Sequence, residues 1–241
     1  MMPNPTAAMI VIGDEILSGR TRDKNMHHLA NELTKAGINL TEVRVVSDDR
    51  AAIIKAVQDL STSYDTVFTS GGIGPTHDDI TADCVAAAFD TPIDVRDDAR
   101  ALLAAHYERQ GTELNEARLR MARIPDGAKL IENPVSVAPG FTIENVHVMA
   151  GVPAVFEAMV ASVIPTLTGG QPLLSVTQRI DRGEGDIAGP LTKLAEEFAD
   201  LSIGSYPFQK DGKYGANIVL RGTEEAQLEA AHAKLREAFD L

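Results

Sequence analysis

Two adjacent carboxylates, Asp78 and Asp79, follow three glycines and a proline in the run Ser70-Gly71-Gly72-Ile73-Gly74-Pro75-Thr76-His77. A glycine-rich turn opening into a helix gathers backbone N–H groups, and such a nest takes an anion such as phosphate. Carboxylates in the same turn oppose that preference. A divalent cation between them and the phosphate resolves the conflict, and Asp oxygens are the donors Mg²⁺ prefers. The stretch therefore reads as a metal–phosphate site. One Asp is expected to cap the helix that follows and the other to face a cleft; the spacing does not choose between them. A second acidic turn, Gly13-Asp14-Glu15, lies near the N-terminus, and Asn25 can cap the helix it opens or hydrogen-bond a ligand. Arg20, Arg22 and Lys24 nearby are phosphate contacts or solvated loop charges. His27-His28 lacks partners at metal-ligand spacing, Cys84 reads as a small buried hydrophobe, and no GxSxG elbow supports a hydrolytic triad.

Placing these groups together requires a sheet. Ala7–Ile12 is a continuous apolar run, as expected of a strand buried on both faces. Met26, Leu29, Leu33 and Ala36 then recur at helical spacing up to Gly37. Leu40–Val46 reads as a second strand, and Asp48-Asp49 as the cap of a helix carrying Ile53, Ile54, Val57 and Leu60. A third strand leads into the glycine run, and Ala82–Phe89 reads as the helix after it. This β-α alternation predicts a doubly wound, mostly parallel α/β sheet, with ligands outside the carboxyl ends of the strands where their order reverses. Asp14 or Glu15 would then face Asp78 or Asp79.

Further on, 97–110 reads as a helix bearing Leu102, Leu103 and His106, and 115–123 as a second short one. Lys129–Ile131 reads as a strand, Asn133–Gly140 as a loop, 141–149 as a hairpin, and the stretch from Pro153 toward Ile164 as a helix. Thr168–Pro172 is the linker, dividing residues 1–168 from a small α+β domain of βαββα pattern over 172–241. Its Gly212-Lys213-Tyr214-Gly215 reads as a hairpin turn.

The net charge of −13 over 241 residues, with no basic run, argues against a general nucleic-acid or anionic-membrane binder. One cysteine fits a reducing compartment, and neither a signal peptide nor an apolar run of about 20 residues is found. A cytoplasmic protein is expected.

In this order, Gly13-Asp14-Glu15-Ile16-Leu17-Ser18-Gly19, Asn25, the stretch from Gly71 to Thr81, and Asn133…Ala138-Pro139-Gly140 resemble the N-terminal region of CinA (competence/damage-inducible protein A). That family lies within the MoaB/Mog and gephyrin-like molybdopterin-binding superfamily. The resemblance covers residues 7–165 and extends through a small KH-like subdomain to the C-terminus. It implies a MoaB/Mog-like fold, a homo-oligomer, and metal-dependent hydrolysis of nucleotide diphosphates such as ADP-ribose or FAD. In the MoaB/Mog branch the same pocket binds molybdopterin, so the alternative it implies is a molybdopterin-binding protein without hydrolase activity. Carried over by position, Asp14, Asp78 and Asp79 are catalytic. The same three with Glu15 hold Mg, Mn or Co. Asn25, Gly71, Gly72, Gly74, Thr76, Asn133, Pro139 and Gly140 bind a nucleotide or pterin phosphate. The pattern departs at Ser136, where a glycine is usual, at Ala150, where the first proline of Leu-Pro-Gly-x-Pro stands, and at Val155, where an acid is usual. No counterpart of CinA's deamidase domain follows, so deamidation of nicotinamide mononucleotide is not expected.

Overall fold

The apolar run near the N-terminus forms β1 (Thr6–Ile12), buried from Ala7 onward as a strand covered on both faces must be. This computed structural model describes residues 4–210 and 212–241. After β1 come a single helical turn, α1 (Asp14–Leu17), and α2 (Asn25–Lys35), which buries Leu29 and Leu33. Met26, expected on the same stripe, is exposed instead. β2 (Asn39–Val46) leads to α3 (Arg50–Ser63), whose cap is Asp49; its carboxylate accepts from the Ala52 N–H at 2.9 Å. β3 (Thr66–Ser70), buried throughout, precedes the glycine run and α4 (Thr81–Ala88).

Next come β4 (Ile93–Val95) and α5 (Asp97–Arg109), which buries Leu103 and exposes Leu102. The helix expected over 115–123 is shorter: α6 (Glu116–Leu119) passes into a 3₁₀ turn, Arg120–Ala122. The chain then extends as β5 (Arg123–Pro125), antiparallel to β4. Three-residue strands are too short to show alternation, so this ribbon leaves no sequence signal. β6 (Lys129–Ile131), β7 (Gly140–Ile143), β8 (Val146–Met149) and α7 (Pro153–Val163) complete the unit.

The central sheet has the order β2-β1-β3-β8-β7-β6. β1 is parallel to both β2 and β3, and β3 to β8, while β7 is antiparallel to both of its neighbours. The chain winds from β1 to β2 on one side and returns to β3 on the other. The carboxyl ends of β1 and β3 thus flank the switch point, where a crevice opens. One face of the sheet packs Ile10, Val67 and Val148 with Ile53, Val57 and Val85; the other packs Met9, Phe68 and Met149 with Leu29, Phe156 and Met159. His147 sits in this core beside the Phe68 ring, its Nδ1 2.8 Å from the Thr142 hydroxyl. Burial pushes its pKa down to about 4, so it is neutral.

The chain divides at Gly170/Gln171 into two units. The second consists of β9 (Leu174–Ile180), α8 (Glu184–Glu197), β10 (Ser202–Lys210), β11 (Lys213–Gly222) and α9 (Glu225–Ala238). Its antiparallel sheet, ordered β10-β11-β9, buries Ala216, Ile218 and Leu220 against Ile187, Leu194, Leu228 and Leu235. β10 and β11 run further toward their turn than expected, which puts Tyr214 and Gly215 within β11. Among the described residues, no helix is long and apolar enough to cross a membrane.

Candidate functional site

Gly71 and Gly72 turn the chain sharply off the end of β3. Gly71 has φ +109°, and a Cβ there would stand 2.3 Å from the Ile12 carbonyl oxygen. Gly72 has φ +70°, and a Cβ there would meet the buried Thr81 hydroxyl at 2.1 Å. Neither position accommodates a side chain. The Gly71 N–H is spent on the sheet, donating to the Met149 carbonyl at 3.1 Å. The N–H groups of Gly72, Ile73 and Gly74 have no acceptor among the described residues. The run of free amides therefore begins one residue later than the motif suggests.

Neither Asp78 nor Asp79 caps α4, whose first turn follows Ile80 with no side-chain cap. Instead, the Asp79 carboxylate accepts from the Thr76 N–H at 2.8 Å and the Thr76 hydroxyl at 2.6 Å, and the Asp79 N–H donates back to the Thr76 carbonyl at 3.2 Å. This closed turn fixes Asp79 and engages Thr76. Asp78 lies more open, with His77 Nδ1 3.9 Å away.

Opposite, Asp48 does not help cap α3; it accepts from the Asp14 N–H at 2.9 Å, tying the end of β2 to the turn after β1. A cleft of about 690 Å³ opens between these turns. Glu15, Asp48, Asp78 and Asp79 line it, and Asp14 does not. The far wall carries Met121, Asn133, Ser136, Ala138, Ala150, Val152 and Val155, so all three departures from the family pattern face this cleft. No Lys or Arg lines it among the described residues. No three His, Cys, Asp or Glu side chains among them gather closely enough to enclose a metal ion.

Several motif residues act on the fold. Asn25, buried at the start of α2, donates through Nδ2 to the Ser70 hydroxyl at 2.7 Å and the Gly151 carbonyl at 2.8 Å. It brackets the ends of β3 and β8 and caps nothing, because Lys24 holds the cap position. Its buried Oδ1 has no hydrogen-bond partner among the described residues, and Asn25 lines a side cavity of about 60 Å³ together with Glu15, Arg22 and Lys24. Asn133 is saturated: Nδ2 donates to the Ser136 hydroxyl and Ala138 carbonyl, and Oδ1 accepts from the Val135 and Ser136 N–H groups. A Cβ at Gly140 would stand 2.3 Å from the Val148 carbonyl, so that glycine serves strand packing. Pro139 lines a narrower cavity behind the glycine run. Burial pushes the Cys84 thiol up to about 11, the state of an inert core cysteine.

Residues 8–169 match the family described as "Probable molybdopterin binding domain". The chain belongs to that family. Its CinA branch is indicated by the crystal structure of the protein CinA, of unknown function, from Thermoplasma acidophilum. That structure is 34% identical with a TM-score of 0.63, over 68% of this chain and 99% of that one. A CinA-like protein of Citrifermentans bemidjiense is 38% identical over 206 residues, 83% of this chain and 48% of that protein. Residues 172–241 match "FAD synthase, middle domain". A probable FAD synthase of Caenorhabditis elegans is 35% identical over 262 residues, 98% of this chain and 50% of that protein. The chain spans about half the length of these two curated relatives. Within the family frame, Asp48 and Met121 are the cleft residues that motif reading missed. Asp48 sits beside a true cap and looks like one, and Met121 lies in an irregular turn.

Proposed function

We propose that this chain is a metal-dependent hydrolase of nucleotide diphosphates, acting in the cleft between the turns after β1 and β3. The observation that carries the reading is the charge pattern of the cleft. Glu15, Asp48, Asp78 and Asp79 surround the unengaged amides of Gly72, Ile73 and Gly74, with no lining cation among the described residues. Four carboxylates repel a phosphate unless a cation comes with it. The donors are hard oxygens too dispersed to enclose an ion alone. Such a set suits Mg²⁺ or Mn²⁺, which keep water and complete their shells with substrate phosphate. One or two of these carboxylates, drawn from Glu15 and Asp48 or from Asp78 and Asp79, would hold the ion, with water and substrate phosphate filling the rest of its shell. When bound, it supplies charge neutralisation at phosphorus and a lowered pKa for attacking water. The chain's own contribution is positional: Thr76 locks Asp79, Asn25 brackets the two strand ends, and the glycine amides receive phosphate oxygens. Met121, Ala150, Val152 and Val155 offer a wall to the base or ring of the ligand. The resemblance of the second unit to the FAD synthase middle domain supports a dinucleotide ligand.

A panel of ADP-ribose, FAD and NAD with Mg²⁺, Mn²⁺ or Co²⁺ tests this reading. Metal-dependent turnover of at least one is expected, with a loss of about 100-fold in Asp79→Asn. Turnover no greater than that of an Asp78→Asn/Asp79→Asn double variant overturns it. The apolar wall and the family description support a second reading, a molybdopterin binder that hydrolyses nothing. Calorimetry separates the two: tight binding of molybdopterin with inert nucleotides favours the second.

A further inference from the structure

We propose that Arg120 binds the ligand's outer phosphate, reaching it past the glycine loop. The inference rests on the pyrophosphate reading above. The 3₁₀ turn Arg120–Ala122 brings Arg120 and Met121 to the glycine loop. Met121 lines the main cleft, and Arg120 lines the narrow cavity of about 20 Å³ behind it. Gly72, Ile73, Gly74, Asp79 and Met121 line both spaces, so the two adjoin along the glycine run, and the guanidinium contacts the Asp79 carbonyl at their shared boundary.

Two arginines line the rear cavity, and one is committed. Arg123 is half-buried and paired with Asp83. Arg120 is exposed and has no ion pair among the described residues. Its Nη2 donates to the Asp79 carbonyl at 3.4 Å, at the long limit of a hydrogen bond. Exchanging that weak bond for a charged phosphate oxygen sacrifices little, and an exposed guanidinium has little desolvation to overcome. The need is electrostatic. A divalent ion offsets only part of the charge of a pyrophosphate placed among four carboxylates, and no Lys or Arg lines the cleft among the described residues, so a cation must reach in from beside it. Arginine's planar fork matches two phosphate oxygens at once. Arg22 and Lys24 are the rival cations, but they line the side cavity with Asn25, which does not include Gly72, Ile73 or Gly74.

Calorimetric titration of the full chain with inorganic pyrophosphate in excess Mn²⁺ tests the assignment without depending on turnover. Arg120→Ala is expected to weaken binding about tenfold or more, and Arg120→Lys to recover part of the loss. Arg22→Ala should bind as the native chain does. So should Arg118→Ala, which removes a nearby cation stacked 4.6 Å over the Tyr107 ring. Thermal midpoints of all variants establish that each is folded. Native-like binding by Arg120→Ala, a larger loss in Arg22→Ala, or no pyrophosphate binding by the native chain overturns the proposal. Arg120-dependent binding without turnover of any nucleotide supports Arg120 and defeats the hydrolase reading alone.

Discussion

Two loops face each other across the cleft, and they are built on opposite principles. The run from Gly71 to Asp79 leaves three consecutive amides without acceptors among the described residues and holds its shape through glycine conformations and one Thr76–Asp79 turn. The loop from Asn133 to Ala138 consumes its polar groups internally. Asn133 makes four side-chain hydrogen bonds within it, and the Val137 N–H donates to the Asn133 carbonyl at 3.0 Å. The first loop keeps donors available to a ligand, whereas the second is a finished wall. Both are motif residues in sequence, but the backbone donors without an acceptor among the described residues are concentrated in the first of them. A substitution in the Asn133 loop should therefore cost stability, and one in the exposed part of the glycine loop should cost binding.

The largest expected effect is at Asn133. Asn133→Ala removes four part-buried hydrogen bonds made by a buried side chain, so urea denaturation should show a loss of about 3 kcal/mol. Thr76→Val, in the exposed turn that fixes Asp79, should cost less than about 1 kcal/mol while weakening metal–pyrophosphate affinity. An Asn133→Ala chain with an unmoved denaturation midpoint would break the contrast.

His147 tests the frame behind the finished wall, since its contact with Thr142 links β7 to β8. Its folded pKa of about 4 lies below the ordinary histidine value of 6.5, so the unfolded chain binds the proton more readily. Stability is therefore unaffected by this group above pH 6.5 and falls as the pH drops from 6.5 toward 4. The loss totals about 3 kcal/mol, beyond what the carboxylates contribute. Denaturation at pH 7, 5.5 and 4.5 should show this slope in the native chain and a shallower one in His147→Leu. Equal slopes would place the titration elsewhere.

Gly72→Ala comes next. The left-handed φ and the overlap with the Thr81 hydroxyl should together cost about 2 kcal/mol. Gly111→Ala has a similar φ, +62°, but open space around its Cβ, and should cost only about 1 kcal/mol. The difference between the two, read by denaturation, isolates the crowding under the nest. If they match, the glycine run is tight only in its backbone angles.

The parts of the molecule that could be read from the residues are those with long-range regularity. β1 and β3 are buried on both faces and read as apolar runs, while α3 shows its stripe and its Asp49 cap. From these the switch point follows, and with it the position of the cleft. Hydrogen-bond partnerships were not readable, because sequence spacing does not say which of two adjacent acids turns inward. Asp48 reaches the Asp14 N–H while Asp49 caps, and Asp79 closes on Thr76, so neither member of the Asp78–Asp79 pair supplies the expected helix cap. Glu15 lines the cleft and its neighbour Asp14 does not, a difference set by one residue's rotation in a four-residue helix. Asn25 and Asn133 read as ligand groups because asparagine in a motif looks the same whether it holds a ligand or a loop.

The smallest effect separates two ways in which the finished wall could be held. Val137 adopts φ +66°, a conformation that costs a β-branched residue about 1–2 kcal/mol. Glycine relieves that strain but gives back about 0.5–1 kcal/mol through the greater freedom of the unfolded chain. Val137→Gly should therefore stabilise the chain by roughly 0.5 kcal/mol in paired denaturation curves. Because Asn133, not the strain at Val137, fixes the loop, metal–pyrophosphate affinity should not change. A stabilised chain with weakened affinity would mean that the strain itself holds the wall against the ligand, and the two loops would then be less different than their hydrogen bonds suggest.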